Sequence, residues 1–236
     1  MKFETISAII PSDPSTWKDR IFLTFDIDWA HDQILQSTID LVEQAEVAAT
    51  WFVTHDTALL GRLRANSNFE LGIHPNFNFL LQGDSQNGSN AEEVIDRLLK
   101  IVPEAKSIRT HSLVTSSPLL AMFKEKGLTH DSSIFIPADS GININPYLDI
   151  SKVIRCPYFF GDYSSCIKET KDIFFANDNL SIYDFHPIHV FLNTESILRY
   201  EKSRLYFNDP GALLEFRNIN NHGVCDQLLR LLRNHH

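Results

Sequence analysis

Cysteine is scarce in this chain of 236 residues: Cys156, Cys166 and Cys225 are the only ones, and no CxxC pair occurs. That spacing excludes zinc-ribbon and thioredoxin-type chemistry. The three read as reduced thiols in a reducing compartment. No segment approaches the roughly 18 apolar residues of a membrane span. The N-terminus, MKFETISAIIPSDPSTWKDR, lacks a basic segment followed by the apolar run of a secretion signal, so the expected location is the cytoplasm. A Lys/Arg cluster is also missing, and the formal net charge is -9. Such a chain has no field to gather phosphate backbones, which argues against a nucleic-acid partner. Internal repeats and clear linkers are absent, so residues 1–236 read as one domain, long enough to bury a full core.

What is present is an alternation of strand-like and helix-like segments. Residues 21–27 (IFLTFDI), 48–54, 69–73, 107–110 and 180–185 are rich in β-branched and aromatic residues and read as strands. Between them, Ile34, Leu35, Thr38, Ile39 and Val42 recur at helical spacing over 32–46. Further helices are expected over 56–65, from Ser89 through Lys100 with Ser89 and Glu92 as a capping box, after Pro118 as far as Gly127, and over 226–233. This order predicts an α/β fold, a distorted (β/α) barrel of about seven parallel strands. Residues 137–178 carry too little periodicity to assign.

Potentially reactive side chains gather where the strands end. Asp26 and Asp28 close the first long strand, and positions i and i+2 share one face. His74 ends the strand in ELGIHP, Arg109 the one in SIRTHS, and His186 and His189 follow the late strand in YDFHPIH. In a parallel barrel these ends meet on one rim. Asp oxygens and His nitrogens suit zinc or a similar divalent ion. A metal, a second carboxylate and an imidazole together can activate water and protonate a leaving group.

The residues resemble the polysaccharide deacetylases, the carbohydrate esterases with a NodB homology domain. The resemblance runs over about residues 20–192. It is carried by TFDID at 24–28, ATWFVT at 49–54, ELGIHPNFN at 70–78, RTHS at 109–112, GLTHDSS at 127–133 and LSIYDFH at 180–186. It implies metal-dependent removal of an acyl group from an amino sugar, with zinc the first candidate and nickel, cobalt or manganese as alternatives. By position, Asp26 is the general base, Asp28 and His74 are metal ligands, Arg109 orients Asp26 and His186 is the general acid. The backbone N–H near Ser112 is placed for the oxyanion.

Two positions depart from the pattern. Asn78 stands where the family has its second ligand His, and His111 stands where it has Pro. Asn78, His111 and His189 are therefore alternatives for completing the metal shell, His189 also being a candidate substrate contact. His31 and Asp32 read as the opening of a helix. The aromatic residues Phe22, Phe25, Trp51, Phe52, Phe77 and Phe79 read mostly as core. The substrate expected in the cytoplasm is a precursor of surface polysaccharide. Two rival readings remain open: a non-catalytic sugar-binding or assembly protein, and a hydrolase of a small non-sugar amide.

Overall fold

A computed structural model describes residues 1–168 and 179–233. The strands are β1 (Lys2–Phe3), β2 (Arg20–Asp26), β3 (Ala49–Val53), β4 (Phe69–Ile73) and β5 (Ser107–Ile108). They continue with β6 (His130–Asp131), β7 (Tyr147–Leu148), β8 (Ile154–Arg155), β9 (Phe160–Gly161) and β10 (Ser181–Phe185). Among the described residues they form one ten-stranded sheet in the order β7-β8-β6-β5-β4-β3-β2-β10-β9, with β1 paired to β2 off this path. All pairings are parallel except β7 with β8. The sheet curls into a half-barrel, the distorted (β/α)-barrel class expected from the sequence. The strand count exceeds seven because several strands are two-residue pairings, too short to leave a period in the sequence.

The central strands are rich in apolar residues because both faces are covered. Residues 21–26 of β2 and all of β3 and β10 are buried. Phe25 stacks on Trp51 at 4.3 Å between ring centroids, and Phe22, Phe52 and Phe77 are buried in the same core. Gly72 on β4 is required by a close approach: a Cβ there would lie 2.6 Å from Ser107 Oγ and 2.7 Å from the Phe52 ring. The cysteines are buried and unbridged. Among the described residues, no helix is long and apolar enough to cross a membrane.

Helix Asp32–Gln44 begins as expected, with His31 Nδ1 accepting the Gln33 N–H at 3.2 Å. Two boundaries differ. The segment from 56 becomes helical only at Leu60, because the Thr57 hydroxyl takes the Leu59 N–H and also donates to Asp32, forming a turn first. The helix Ala91–Ile101 is capped by Asn90, not Ser89: Asn90 Oδ1 accepts the Glu93 N–H at 2.9 Å. Glu93 reaches back to the Ser89 N–H at 2.8 Å, so the box sits one residue later than expected. A second, smaller apolar cluster of Ile34, Ile188, Leu192 and Leu213 joins helix Asp32–Gln44 to the chain after β10.

Candidate active site

Five adjacent strands, β5, β4, β3, β2 and β10, run in parallel, so the residues just past their C-terminal ends share one rim. Asp26, Asp28, His74, Arg109, His111 and His186 all lie there. Three of their atoms form a near-equilateral triangle. His74 Nε2 and His111 Nδ1 are 3.2 Å apart, and each is 3.3 Å from Asp28 Oδ1. Ligand atoms bound tetrahedrally at about 2.0–2.1 Å stand about 3.3 Å from one another. The donor set of two imidazole nitrogens and one carboxylate oxygen therefore fits a zinc-sized divalent ion. Asp28 Oδ1 is buried and without a hydrogen bond, which fits an atom shaped for a ligand. Burial opposes ionisation of Asp28, but His111 and His74, together with the charge of His186, hold its carboxyl well below the usual range.

The local backbone explains why His111 reaches the triangle. Ser112 and Leu113 both have positive φ, 56° and 59°, and the His111 N–H is bonded to Pro75 O at 2.9 Å. The chain thus folds back against the loop that carries His74. Asn78 is engaged differently: its Nδ2 donates to Ser112 Oγ at 2.9 Å, tying helix Asn78–Leu81 to the His111 turn. His189 lies behind His186, not on the rim. It is 2% exposed, and its Nδ1 faces Thr194 Oγ1 at 3.2 Å. Burial pushes its pKa down to about 4. Its ring stands 5.8 Å from that of His186, centroid to centroid.

Asp26 stands beside the triangle, with Oδ2 3.6 Å from His74 Nε2. Its Oδ1 accepts from Arg109 Nη1 at 3.0 Å. Arg109 is fully buried. It also donates to Thr24 Oγ1 at 2.9 Å, to Ser132 O at 3.1 Å, to Ser132 Oγ at 3.0 Å and to Asp184. The Phe52 and Tyr158 rings lie 4.6 Å from its guanidinium carbon. Burial disfavours the Arg109 charge, but Asp184 and Asp26 outweigh it and raise its pKa. The Asp184 carboxyl is raised by burial and by nearby Asp26, against the pull of Arg109. Asp184 therefore keeps a proton more readily than an ordinary carboxyl, leaving more of the Arg109 charge to Asp26.

His186 is held by Asp162, the first residue of helix Asp162–Lys168. Asp162 Oδ1 takes the ring Nδ1 at 2.7 Å and Oδ2 takes the backbone N–H at 2.6 Å. This fixes the ring so that Nε2 faces Asp28 Oδ2 at 3.5 Å. Burial opposes the imidazolium, yet Asp162, by charge and hydrogen bond, then Asp184 and Asp28 raise its pKa well above 6.5. A raised value means that the stabilisation is fully present below 6.5 and is lost as pH rises through the folded-state pKa. Asp162→Asn is expected to move the alkaline limb of any His186-dependent activity to lower pH, as read from a pH–rate profile. An unmoved limb would show that Asp162 does not set the protonation of His186.

Sequence reasoning missed Asp162 and Asp184. Asp162 lies in the aperiodic stretch 137–178, which offered no signal. Asp184 did offer one, since it stands at i−2 from His186, which continues the extended backbone just past β10, and so shares its face.

The WbmS-like polysaccharide deacetylase family matches residues 23–204. A solved structure from Bordetella bronchiseptica, described as a candidate polysaccharide deacetylase involved in O-antigen biosynthesis, is 45% identical to the chain. The match covers 99% of this chain and 98% of that one, with a TM-score of 0.93. A candidate polysaccharide deacetylase from Mycobacterium smegmatis is 13% identical over 91% of this chain and 90% of its own, with a TM-score of 0.42, too distant to carry an argument. No curated protein matches the chain significantly.

Proposed function

The chain belongs to the WbmS-like polysaccharide deacetylase family, and from that premise we propose that it is a single-domain, metal-dependent hydrolase that removes an N-acyl group, acetyl first among them, from an amino sugar. One observation carries the reading: the Asp28–His74–His111 triangle stands between Asp26, held by Arg109, and His186, held by Asp162. Asp28, His74 and His111 would hold the ion, zinc or alternatively nickel, cobalt or manganese. When bound, the ion supplies Lewis-acid polarisation of the acyl carbonyl and a more acidic water.

The rest of the chemistry belongs to the chain. Asp26 takes the proton of the attacking water, and Arg109 holds its carboxylate in place. The Ser112 backbone N–H faces the developing oxyanion. His186 Nε2 gives its proton to the departing nitrogen, while Asp162 holds the ring in place. The products are one carboxylate and one free amine. The Bordetella bronchiseptica relative is described as involved in O-antigen biosynthesis. The substrate class that fits is thus an N-acylated sugar precursor of surface polysaccharide, expected in the cytoplasm.

The test is acetate release from N-acetylated hexosamines, free and nucleotide-linked, by protein loaded with each of the four metals. The expected result is one acetate per free amine formed. Sugar binding with no acetate under any metal would contradict the reading and favour a non-catalytic binding protein.

A further inference from the structure

The turn that presents Asp28 is strained. Asp28 and Trp29 both have positive φ, 37° and 54°, and the Ala30 N–H closes the turn on Ile27 O at 2.8 Å. Two successive positive φ values are the habit of Asn-Gly turns. A bulky indole in that conformation is an outlier, kept only where its surroundings over-determine it and often where function requires it. Here the Trp29 N–H is held by Thr54 Oγ1 at 3.1 Å. Its ring stands edge-on to His111, 5.2 Å between centroids, and is 40% exposed, whereas Trp17 and Trp51 are buried.

A second aromatic residue stands on the His186 side of Asp28. Tyr200, on helix Ile197–Ser203, packs on His189 at 4.6 Å, and His189 in turn stands 5.8 Å from His186. The ring is anchored by Phe207 at 5.2 Å and by the smaller apolar cluster. Its hydroxyl has no hydrogen-bond partner among the described residues, and it feels the Asp28 carboxylate: burial, then that charge, pushes its pKa up to about 12. His111 Nδ1 faces Asp28 Oδ1 at 3.3 Å and His186 Nε2 faces Asp28 Oδ2 at 3.5 Å, so the exposed indole against His111 and the Tyr200 ring, two ring contacts from His186, belong to the two ends of this carboxylate. A pyranose needs both an apolar ring face and a hydroxyl, because its C–H face is apolar and its ring hydroxyls require partners.

We infer that Trp29 and Tyr200 form the two walls of a pyranose subsite over the Asp28–His186 edge. The indole takes the sugar's C–H face and the Tyr200 hydroxyl takes a sugar hydroxyl. This rests on the amino-sugar reading and assigns the residues that recognise the sugar in it.

Trp29→Ala, Trp29→Phe and Tyr200→Phe test the inference on full-length, metal-loaded protein. The probes are N-acetylated hexosamines of gluco, galacto and manno configuration, with 4-nitrophenyl acetate as a sugar-free ester. Trp29→Ala and Tyr200→Phe should each raise the sugar KM about tenfold, far more than they lower kcat. The ratio of sugar to ester hydrolysis should fall by the same factor, and Trp29→Phe should recover part of it. Sugar should also change the tryptophan emission of wild type, and not that of Trp29→Phe.

Equal losses on sugar and ester, or an unchanged sugar KM, would overturn the subsite. So would a wild-type emission that ignores every sugar. The underlying reading fails differently: a wild type that releases no acetate, yet whose Trp29 emission still responds to sugar, would sink the deacylase and leave the subsite standing.

Discussion

Asp26→Asn is expected to lower kcat on an N-acetylated sugar by about 10²–10⁴-fold, the usual worth of a positioned general base. The amide has the size of the carboxylate and can still accept from Arg109 through its oxygen, but it cannot take a proton from water. Arg109 keeps Asp184 as a second acidic partner, so the fold should survive the change. Asp26 is not one of the three atoms of the ligand triangle, and the variant should bind metal like wild type. A kcat within tenfold of wild type would remove Asp26 from the reaction. A variant that lost its metal would instead make Asp26 a ligand.

Arg109→Met is expected to destabilise the protein by about 3–5 kcal/mol, the range for breaking a buried ion pair from one side. The methionine could fill much of the slot between Phe52 and Tyr158, so lost packing is the smaller part. The larger part is electrostatic: Asp26 and Asp184, 4% and 2% exposed, would face each other with no cation between them. Ser132 O and Thr24 Oγ1 would lose a donor as well. For a domain of this size the shift in thermal midpoint is on the order of 10 °C. Arg109→Met, Asp184→Asn is expected to recover part of that loss, because one of the two stranded carboxyls is then neutral. A single variant that melts within a degree or two of wild type would show that the pair is not what holds the strand ends together.

The parts legible in the sequence share a physical cause. Long strands buried on both faces, such as β2 and β10, are runs of β-branched and aromatic residues, so their ends could be located. With them came Asp26, Asp28, His74, Arg109 and His186, because side chains at strand ends need only the strand to be placed. His111 was readable as one alternative through its i+2 relation to Arg109. The choice between it and Asn78 depended on the positive φ of Ser112 and Leu113, which no residue type there announces. Asp162 was invisible for a related reason: it reaches His186 from a short helix in a stretch without periodicity. Trp29 and Tyr200 lie outside the strands, whose aromatic residues Phe22, Phe25, Trp51 and Phe52 pack in the core. The exposed indole sits on a strained turn, and Tyr200 belongs to a segment after the last strand. The burial of His189 was not legible, because it depends on helix Pro187–Leu192, whose first turn carries a histidine at i+3 from His186 inward.

Metal-dependent hydrolysis at this site requires that Asp28, His74 and His111 hold an ion. The direct measurement is elemental mass spectrometry of purified wild type, His74→Ala, His111→Ala and Asn78→Ala after incubation with zinc, cobalt, nickel or manganese. The expected result is near-stoichiometric metal in wild type and Asn78→Ala, lost in both histidine variants. Metal absent from wild type under all four ions, or retained in His111→Ala and lost in Asn78→Ala, would contradict it.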